Sequence, residues 1–219
     1  MDLDYEKIKK FWDSRAHDVD LGMGAVNLGT TQEQSAIQLD CLKQSLKISD
    51  RLILELGCGL GRVTIAMAGK SRKIVSVDYS HNMLVAMRRH LDNTVSENVM
   101  TVCANCSAKL PFKTAVFDAA VVFGVLLHIN DEDLVGMIRE IKRVTKPKGK
   151  IILRESVGID GRFEVNKYSE ELKMPYSAIY RPAVNIEKEF AREKMKVVVS
   201  KKLYQQRKET ETWYWVFQK

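Results

Sequence analysis

The residues best suited to chemistry fall in one short stretch, Glu55-Leu56-Gly57-Cys58-Gly59-Leu60-Gly61. It follows an apolar run and opens a helical pattern, so the glycines sit at a strand-to-helix turn. Glycine lets backbone approach a ligand closely and adopt conformations barred to other residues. In parallel α/β sheets, ligands sit at the carboxyl ends of the strands. The spacing here is G-x-G-x-G, with an acid two residues before the first glycine. A dinucleotide fingerprint is instead G-x-G-x-x-G, which brings a pyrophosphate to a helix N-terminus. Where that pattern wants glycine or alanine, this chain has Arg62. An acid facing the loop suits a cationic ligand better than a pyrophosphate. Asp78 ends the next apolar run, about twenty residues on, where a carboxylate can accept from both ribose hydroxyls. Its other reading is a cap for the helix beginning near His81.

His128 ends the longest apolar run, Ala119 to Leu127. An imidazole with an ordinary pKa of about 6.5 can move protons near neutrality. It can equally be a structural ring bonded to nearby backbone. Cys103 and Cys106 form a C-x-x-C without a second pair. Residues three apart on a strand point to opposite faces, which is poor metal geometry. No metal site is expected, and the four cysteines read as free thiols of a cytoplasmic protein.

These residues need a scaffold, and the pattern around them supplies one. The first fifty residues read as a helical cover over 1–48. Tyr5, Ile8, Phe11 and Trp12 form one stripe. A glycine-bearing loop spans Leu21 to Thr31, and a second helix over Glu33 to Leu46 turns Ile37, Leu42 and Leu46 inward. A strand-helix alternation follows. Strands are expected at Arg51–Leu56, Lys73–Val77, Val99–Ala104, Phe117–Phe123 and Lys150–Glu155. Helices are expected at Arg62–Ala68, His81–Leu91 and Asp131–Thr145. Asp131 is the expected cap of the last helix, with Leu134, Ile138, Ile141 and Val144 on its inner face and Pro147 and Gly149 ending it. Repeated βα units imply a parallel sheet with helices on both faces. Residues 157–183 read as an irregular lid with a short helix at Ser169–Leu172, followed by a helix over Asn185–Lys194. Lys196–Gln205 and Thr210–Phe217 read as strands whose short connection makes them antiparallel. The expected fold is α/β: a Rossmann-like, seven-stranded, mostly parallel sheet ending in an antiparallel pair, all in one domain spanning 1–219.

Bulk properties agree. A chain of 219 residues with 45% hydrophobic and 29% charged residues has the composition of one ordinary globular domain. The longest apolar run is too short to span a bilayer, and no basic stretch leads into an apolar one near the N-terminus, so neither membrane insertion nor a secretory signal is expected. The net charge of +7 permits an acidic partner. Its clearest cluster is Arg139, Lys142, Arg143, Lys146, Lys148 and Lys150; the first four fall on one helical face, and a solvated face suiting the helix C-terminus is preferred to a nucleic-acid footprint.

Taken together, these segments resemble the class I S-adenosylmethionine-dependent methyltransferases. Glu55 to Gly61 resembles their first motif. Val77-Asp78-Tyr79-Ser80 with Met83-Leu84 resembles their second-strand motif. Leu110-Pro111-Phe112 and the run Phe117 to His128 resemble the segment around their fourth strand, and Arg143 to Gly149 the turn before their fifth. The terminal antiparallel pair also belongs to that fold and is missing from plain dinucleotide-binding domains. The resemblance covers roughly residues 50 to 156 and implies S-adenosylmethionine as cofactor, with S-adenosylhomocysteine as product. It implies that Gly57, Cys58, Gly59 and Gly61 pack under the methionine and ribose, and that Glu55 orients the loop or meets the ammonium. Asp78 would hold the ribose, with Tyr79 against the adenine and Met83 nearby. The family's usual acid after the third strand is replaced by Asn105-Cys106-Ser107, which would contact the adenine through the Asn105 carbonyl and the backbone of Cys106 or Ser107. Phe123, Gly124 and Val125 would line the transfer site. Arg15, in a segment resembling an N-terminal cover, would pair with the cofactor carboxylate or simply sit on a helix surface.

The acceptor is less defined. Phe123-Gly124-Val125-Leu126 stands where enzymes that methylate base amines carry Asn/Asp-Pro-Pro-aromatic, so that chemistry is not expected. The favoured acceptor is a small molecule or sugar, at oxygen, with His128 as candidate base. Tyr168, Tyr176, Tyr180 and Arg181 of the lid are candidates for substrate contact or for packing. The alternatives are a protein or peptide methyltransferase, a non-catalytic cofactor-binding partner subunit and, disfavoured by Arg62, a dinucleotide oxidoreductase.

Overall fold

The computed structural model of the chain describes residues 1–17, 30–49, 51–91, 97–170 and 172–219. The expected loop from Leu21 lies mostly outside the described residues. Helix α1 (Tyr5–Arg15) is capped by Asp4, whose carboxylate accepts from the amides of Glu6 and Lys7. Helix α2 (Gln32–Ser45) begins with a reciprocal Thr31/Gln34 capping box. Then come β1 (Leu52–Leu56), α3 (Arg62–Ala68), β2 (Lys73–Asp78), α4 (His81–His90), β3 (Val99–Cys103), β4 (Phe117–Phe123), α5 (Asp131–Val144), β5 (Thr145–Gly158), β6 (Phe163–Ser169), β7 (Met174–Tyr180), α6 (Ala183–Arg192), β8 (Lys196–Gln205) and β9 (Thr210–Gln218). A 3-10 turn, Leu126–His128, links β4 to α5.

The main sheet has seven strands in the order β3-β2-β1-β4-β5-β9-β8. The first five run parallel, whereas β9 lies antiparallel to both β5 and β8. This is the expected Rossmann-like sheet. Its strands are apolar because both faces are covered. Leu54 and Leu56 of β1, Ala120 and Val122 of β4, and Ile151 and Leu153 of β5 enter one core with α5 and α6. Ile53, Ala119, Val121 and Ile152 enter the opposite core with α2, α3 and α4. On the first face Phe190 of α6 stacks on Phe217 of β9, with centroids 3.9 Å apart.

Four expectations change. The described residues of 157–183 are not irregular, and Ser169 of the expected short helix ends a strand: β6 and β7 pair antiparallel, with Phe163 opposite Tyr180 and Ser169 opposite Met174. Asp131 is the first residue of α5 rather than its cap. Asn130 holds the cap position but makes no side-chain cap bond; its side chain instead accepts from Leu3 N and donates to Leu3 O, strapping the N-terminal segment onto α5. Ile37 on α2 faces outward at 37% exposure, while Leu42 and Leu46 are buried as expected. The turn at Pro147 and Gly149 lies inside β5 as a register jump between Phe117↔Thr145 and Ala119↔Lys150.

The first four cations of the basic cluster are engaged within the molecule, three of them on α5 and Lys146 at the start of β5. Arg139 pairs with Glu193, Lys142 donates to Glu193 O, Arg143 pairs with Glu140, and Lys146 pairs with Asp118. Among the described residues, no helix is long and apolar enough to cross a membrane.

Candidate active site

The carboxyl ends of β1, β2 and β4 open onto a cleft with about 950 Å³ of empty space, walled on its far side by Tyr5, Ile8 and Trp12 of α1. The glycine loop forms its floor. Amides of Gly57 and Cys58 donate to Val77 O, tying the loop to β2. Gly57 has φ +68°, and a Cβ there would lie 2.3 Å from Val125 Cγ2. Gly61, at φ +83°, would meet Met87 Cγ at the same distance. Both positions combine left-handed backbone with a filled neighbour, so only glycine fits.

Glu55 is 3% exposed and lines the cleft. Its Oε2 accepts from Thr64 Oγ1 at 2.5 Å, and Thr64 in turn bonds Ser76 Oγ at 2.9 Å. Burial pushes the carboxyl up to about 8, against the Thr64 hydrogen bond and the Arg62 charge, which pull it down. Without a cationic partner the group is mainly protonated at neutrality.

Asp78 accepts from Gly59 N at 2.8 Å and Ser80 N at 2.9 Å. Burial raises its pKa to about 6, opposed by those backbone amides. Ser80, rather than Asp78, caps α4 by accepting from Met83 N. Each carboxylate oxygen of Asp78 keeps a spare lone pair for a ligand hydroxyl.

Tyr79, Met83, Cys58, Gly59, Asn105, Cys106, Phe123 and Gly124 also line the cleft. Three other expected contacts do not. Gly61 is turned onto Met87 at the start of α3. Ser107 folds back, both its amide and its hydroxyl donating to Asn105 Oδ1. That oxygen therefore already carries two hydrogen bonds. Arg15 is buried with its guanidinium 5.8 Å from the Phe11 ring centroid.

Sequence reasoning passed over Arg62 as a ligand group. Its Nη2 donates to Gln38 Oε1, while its Nη1 is buried without a hydrogen-bond partner, and the residue lines the cleft. Burial lowers its pKa to about 10, and the nearby Arg154 charge adds to that. The cleft thus presents a carboxyl that needs a cation, a guanidinium that needs an anion, and a second carboxylate with spare acceptors. Two acceptors and one donor of this kind fit the ammonium, ribose hydroxyls and carboxylate of S-adenosylmethionine.

His128 is 8% exposed and lies between the rings of Trp12 and Tyr176, with centroids at 5.5 and 5.9 Å. Its Nδ1 is 3.2 Å from Ser177 O. A carbonyl only accepts, so Nδ1 carries the hydrogen and Nε2 of the neutral ring keeps its lone pair. Burial lowers the ring's pKa to about 4.

A second cleft adjoins the first and shares Trp12, Gly124 and His128 as its wall. Tyr176 and Tyr180 line it, with hydroxyls 3.3 Å apart. The other lid candidates lie elsewhere. Tyr168 is 54% exposed and outside both clefts. Arg181 is a brace rather than a contact residue, donating to Leu126 O and Ile129 O and pairing with Asp131.

Residues 53–149 match the family model described as a methyltransferase domain. The chain therefore carries a methyltransferase domain over these residues, and its sheet has the fold of solved S-adenosylmethionine-dependent methyltransferases. A sterol 4-C-methyltransferase of Caenorhabditis elegans is 28% identical over 155 residues, which are 69% of this chain and 44% of that protein. A demethylmenaquinone methyltransferase of Lactococcus lactis is 27% identical over 154 residues, 69% of this chain and 59% of that one. The chain spans about half the length of the curated relatives it matches. In fold it is similar to a SAM-dependent methyltransferase of Leishmania major, with a TM-score of 0.74 over 97% of this chain and 82% of that one, at 17% identity.

Proposed function

We propose that this protein transfers a methyl group from S-adenosylmethionine to a small-molecule or sugar acceptor, at oxygen. The observation that carries the reading is the pair of clefts meeting at Trp12, Gly124 and His128. One has the donors for the cofactor, and the other has room for an acceptor against the same wall.

The cofactor supplies a methyl group made electrophilic by its sulfonium. Glu55 holds the ammonium in ionised form, Arg62 the carboxylate, and Asp78 the ribose, with Tyr79 against the adenine. Alignment of the reacting groups by such contacts removes several kcal/mol from a barrier. Trp12 and Tyr5 of α1 keep water from the transfer point, and the β6-β7 hairpin covers the acceptor as the lid. Residue 124 has no side chain, so the two ligands approach across bare backbone. His128 Nε2 would accept a hydrogen bond from the acceptor hydroxyl and take its proton, passing it on to solvent, as the O–CH3 bond forms, the C–S bond breaks and S-adenosylhomocysteine leaves.

An oxygen acceptor is preferred to the ring carbon in the nematode relative's name because the second cleft is lined by hydroxyls of Ser156, Ser169, Tyr176, Tyr180 and Thr210. Such a wall suits a polar acceptor better than a sterol.

Calorimetric titration with S-adenosylmethionine, S-adenosylhomocysteine and NAD tests the cofactor. Both adenosyl ligands should bind and NAD should not, and Asp78→Asn should weaken binding roughly tenfold, the scale of one hydrogen bond to a charged group. Binding of NAD alone would move the chain to the oxidoreductases.

A further inference from the structure

We propose that the second cleft is built for an acceptor carrying an oxyanion, either carboxylate or phosphate, and that Arg154 binds the charge. The inference rests on the methyl-transfer reading for the word acceptor, but the anion site stands on its own observations. Arg154 lies in the second half of β5, directly after the buried apolar run Ile151-Ile152-Leu153. Its partners across the sheet are Phe123 and Tyr214, so its backbone is fixed on both sides. It is 8% exposed, and its Nε has no hydrogen-bond partner among the described residues. A buried guanidinium is always charged and is costly to leave unpaired, so such a group implies a partner supplied from outside.

The direction of the side chain is set by Gly124. A Cβ on that glycine would lie 3.3 Å from Arg154 Nη1, which puts the guanidinium beside the bare backbone shared by the two clefts. Arg154 lines only the second cleft. Among the described residues that line it, none is a carboxylate. The acid nearest in sequence, Glu155, feels the Arg154 charge through space, but its oxygens accept from the amides of Leu126 and Ser156. The described wall of the cleft therefore sets the Arg154 guanidinium among several hydroxyls with no carboxylate in line. Trp12, Leu127 and Leu172 supply apolar surface for the body of a small organic anion. Cofactor carboxylate is the competing partner for Arg154, and Arg62 already faces it from the first cleft.

The test is calorimetry on the full chain with two probes, inorganic phosphate and benzoate, each titrated with and without saturating S-adenosylhomocysteine. At least one anion should bind the wild type, and Arg154→Gln should weaken it tenfold or more while leaving S-adenosylhomocysteine affinity within about twofold, since an unneeded cofactor contact changes little. Arg154→Lys should retain part of the anion affinity. The Tm of ligand-free Arg154→Gln should change little, because Nε gives up no hydrogen bond among the described residues. Phosphate binding alone assigns a phosphorylated acceptor, and benzoate binding alone a carboxylate. The proposal is overturned if neither anion binds the wild type, if the variant binds them equally well, or if the variant loses S-adenosylhomocysteine instead. Failure of S-adenosylhomocysteine to bind the wild type would sink the methyl-transfer reading, while the anion site would still be decided by the titrations without it.

Discussion

Cofactor binding should release a proton, and Glu55 should be its source. In the free protein burial holds this carboxyl at about 8, so roughly one site in ten is ionised at pH 7. A ligand ammonium pairs only with the ionised form. The sign follows: affinity is fully present above the raised pKa and is lost as pH falls below it. If the bound carboxyl titrates well below 6, the apparent Kd scales as one plus ten to the power of the difference between pKa and pH. Binding of S-adenosylhomocysteine should then tighten about 15-fold between pH 6.5 and pH 8, with about 0.9 proton released at pH 7. Titration calorimetry in buffers of different ionisation enthalpy reads both quantities without any methyl acceptor. Glu55→Gln, which mimics the protonated form, should bind more weakly at pH 8 and show neither slope nor proton release. A wild-type affinity that stays flat across this range, or a variant with the same slope, would falsify the role given to Glu55.

Gly57→Ala forces a left-handed alanine and drives its Cβ against Val125; unfolding free energy should drop by about 1–3 kcal/mol in a denaturant melt, and S-adenosylhomocysteine binding should be lost first. His128→Ala should reduce turnover at least tenfold while changing S-adenosylhomocysteine affinity far less, and wild-type turnover in that variant ends its catalytic role. Because burial places the ring at about 4, its protonation should not limit wild-type turnover between pH 5.5 and 8, and a rate limb near 6.5 belonging to His128 would contradict this geometry. Arg181→Leu leaves Ile129 O without its side-chain donor, Leu126 O with only the Ile129 amide, and Asp131 without one of its two arginines; a loss of about 3 kcal/mol is expected in chemical denaturation, and a loss under 1 kcal/mol would show that the brace carries no weight.

The sheet was legible in the sequence because its strands are covered on both faces. Ile53, Ala119, Val121 and Ile152 have no exposed surface, so they could only be apolar, and glycine and proline punctuate the turns between them. The β6-β7 hairpin was not legible for the converse reason. Its strands belong to a separate two-stranded sheet, Glu164, Asn166 and Lys167 are polar, and Pro175 interrupts the second run. Period-two burial hardly shows where one face packs only on a helix and a turn. At the site, the glycine loop and Asp78 stood out through spacing, whereas the folding-back of Ser107 onto Asn105 depends on one local turn that residue types do not specify. Arg154 did carry a signal that went unread, since a charge inside Ile151-Ile152-Leu153-Arg154 needs a partner wherever the strand is buried.

The division between the two clefts explains why the domain match identifies a cofactor class and leaves the acceptor open. Residues that face the cofactor cleft from the sheet, from Glu55 through Asp78 and Asn105 to Gly124, all lie inside the matched segment 53–149. Residues that give the second cleft its charge and polarity, Arg154, Ser156, Tyr176, Tyr180, Arg207 and Thr210, all lie after it. They are delivered by the far end of β5, by the hairpin and by the turn between β8 and β9, the segments in which a common sheet can change without disturbing the loop beneath the cofactor. On the proposed reading, specificity for an acceptor can shift with these segments while Glu55, Arg62 and Asp78 stay in place, and among the described residues Trp12, Gly124 and His128, which line both clefts, are the ones the two ligands would share.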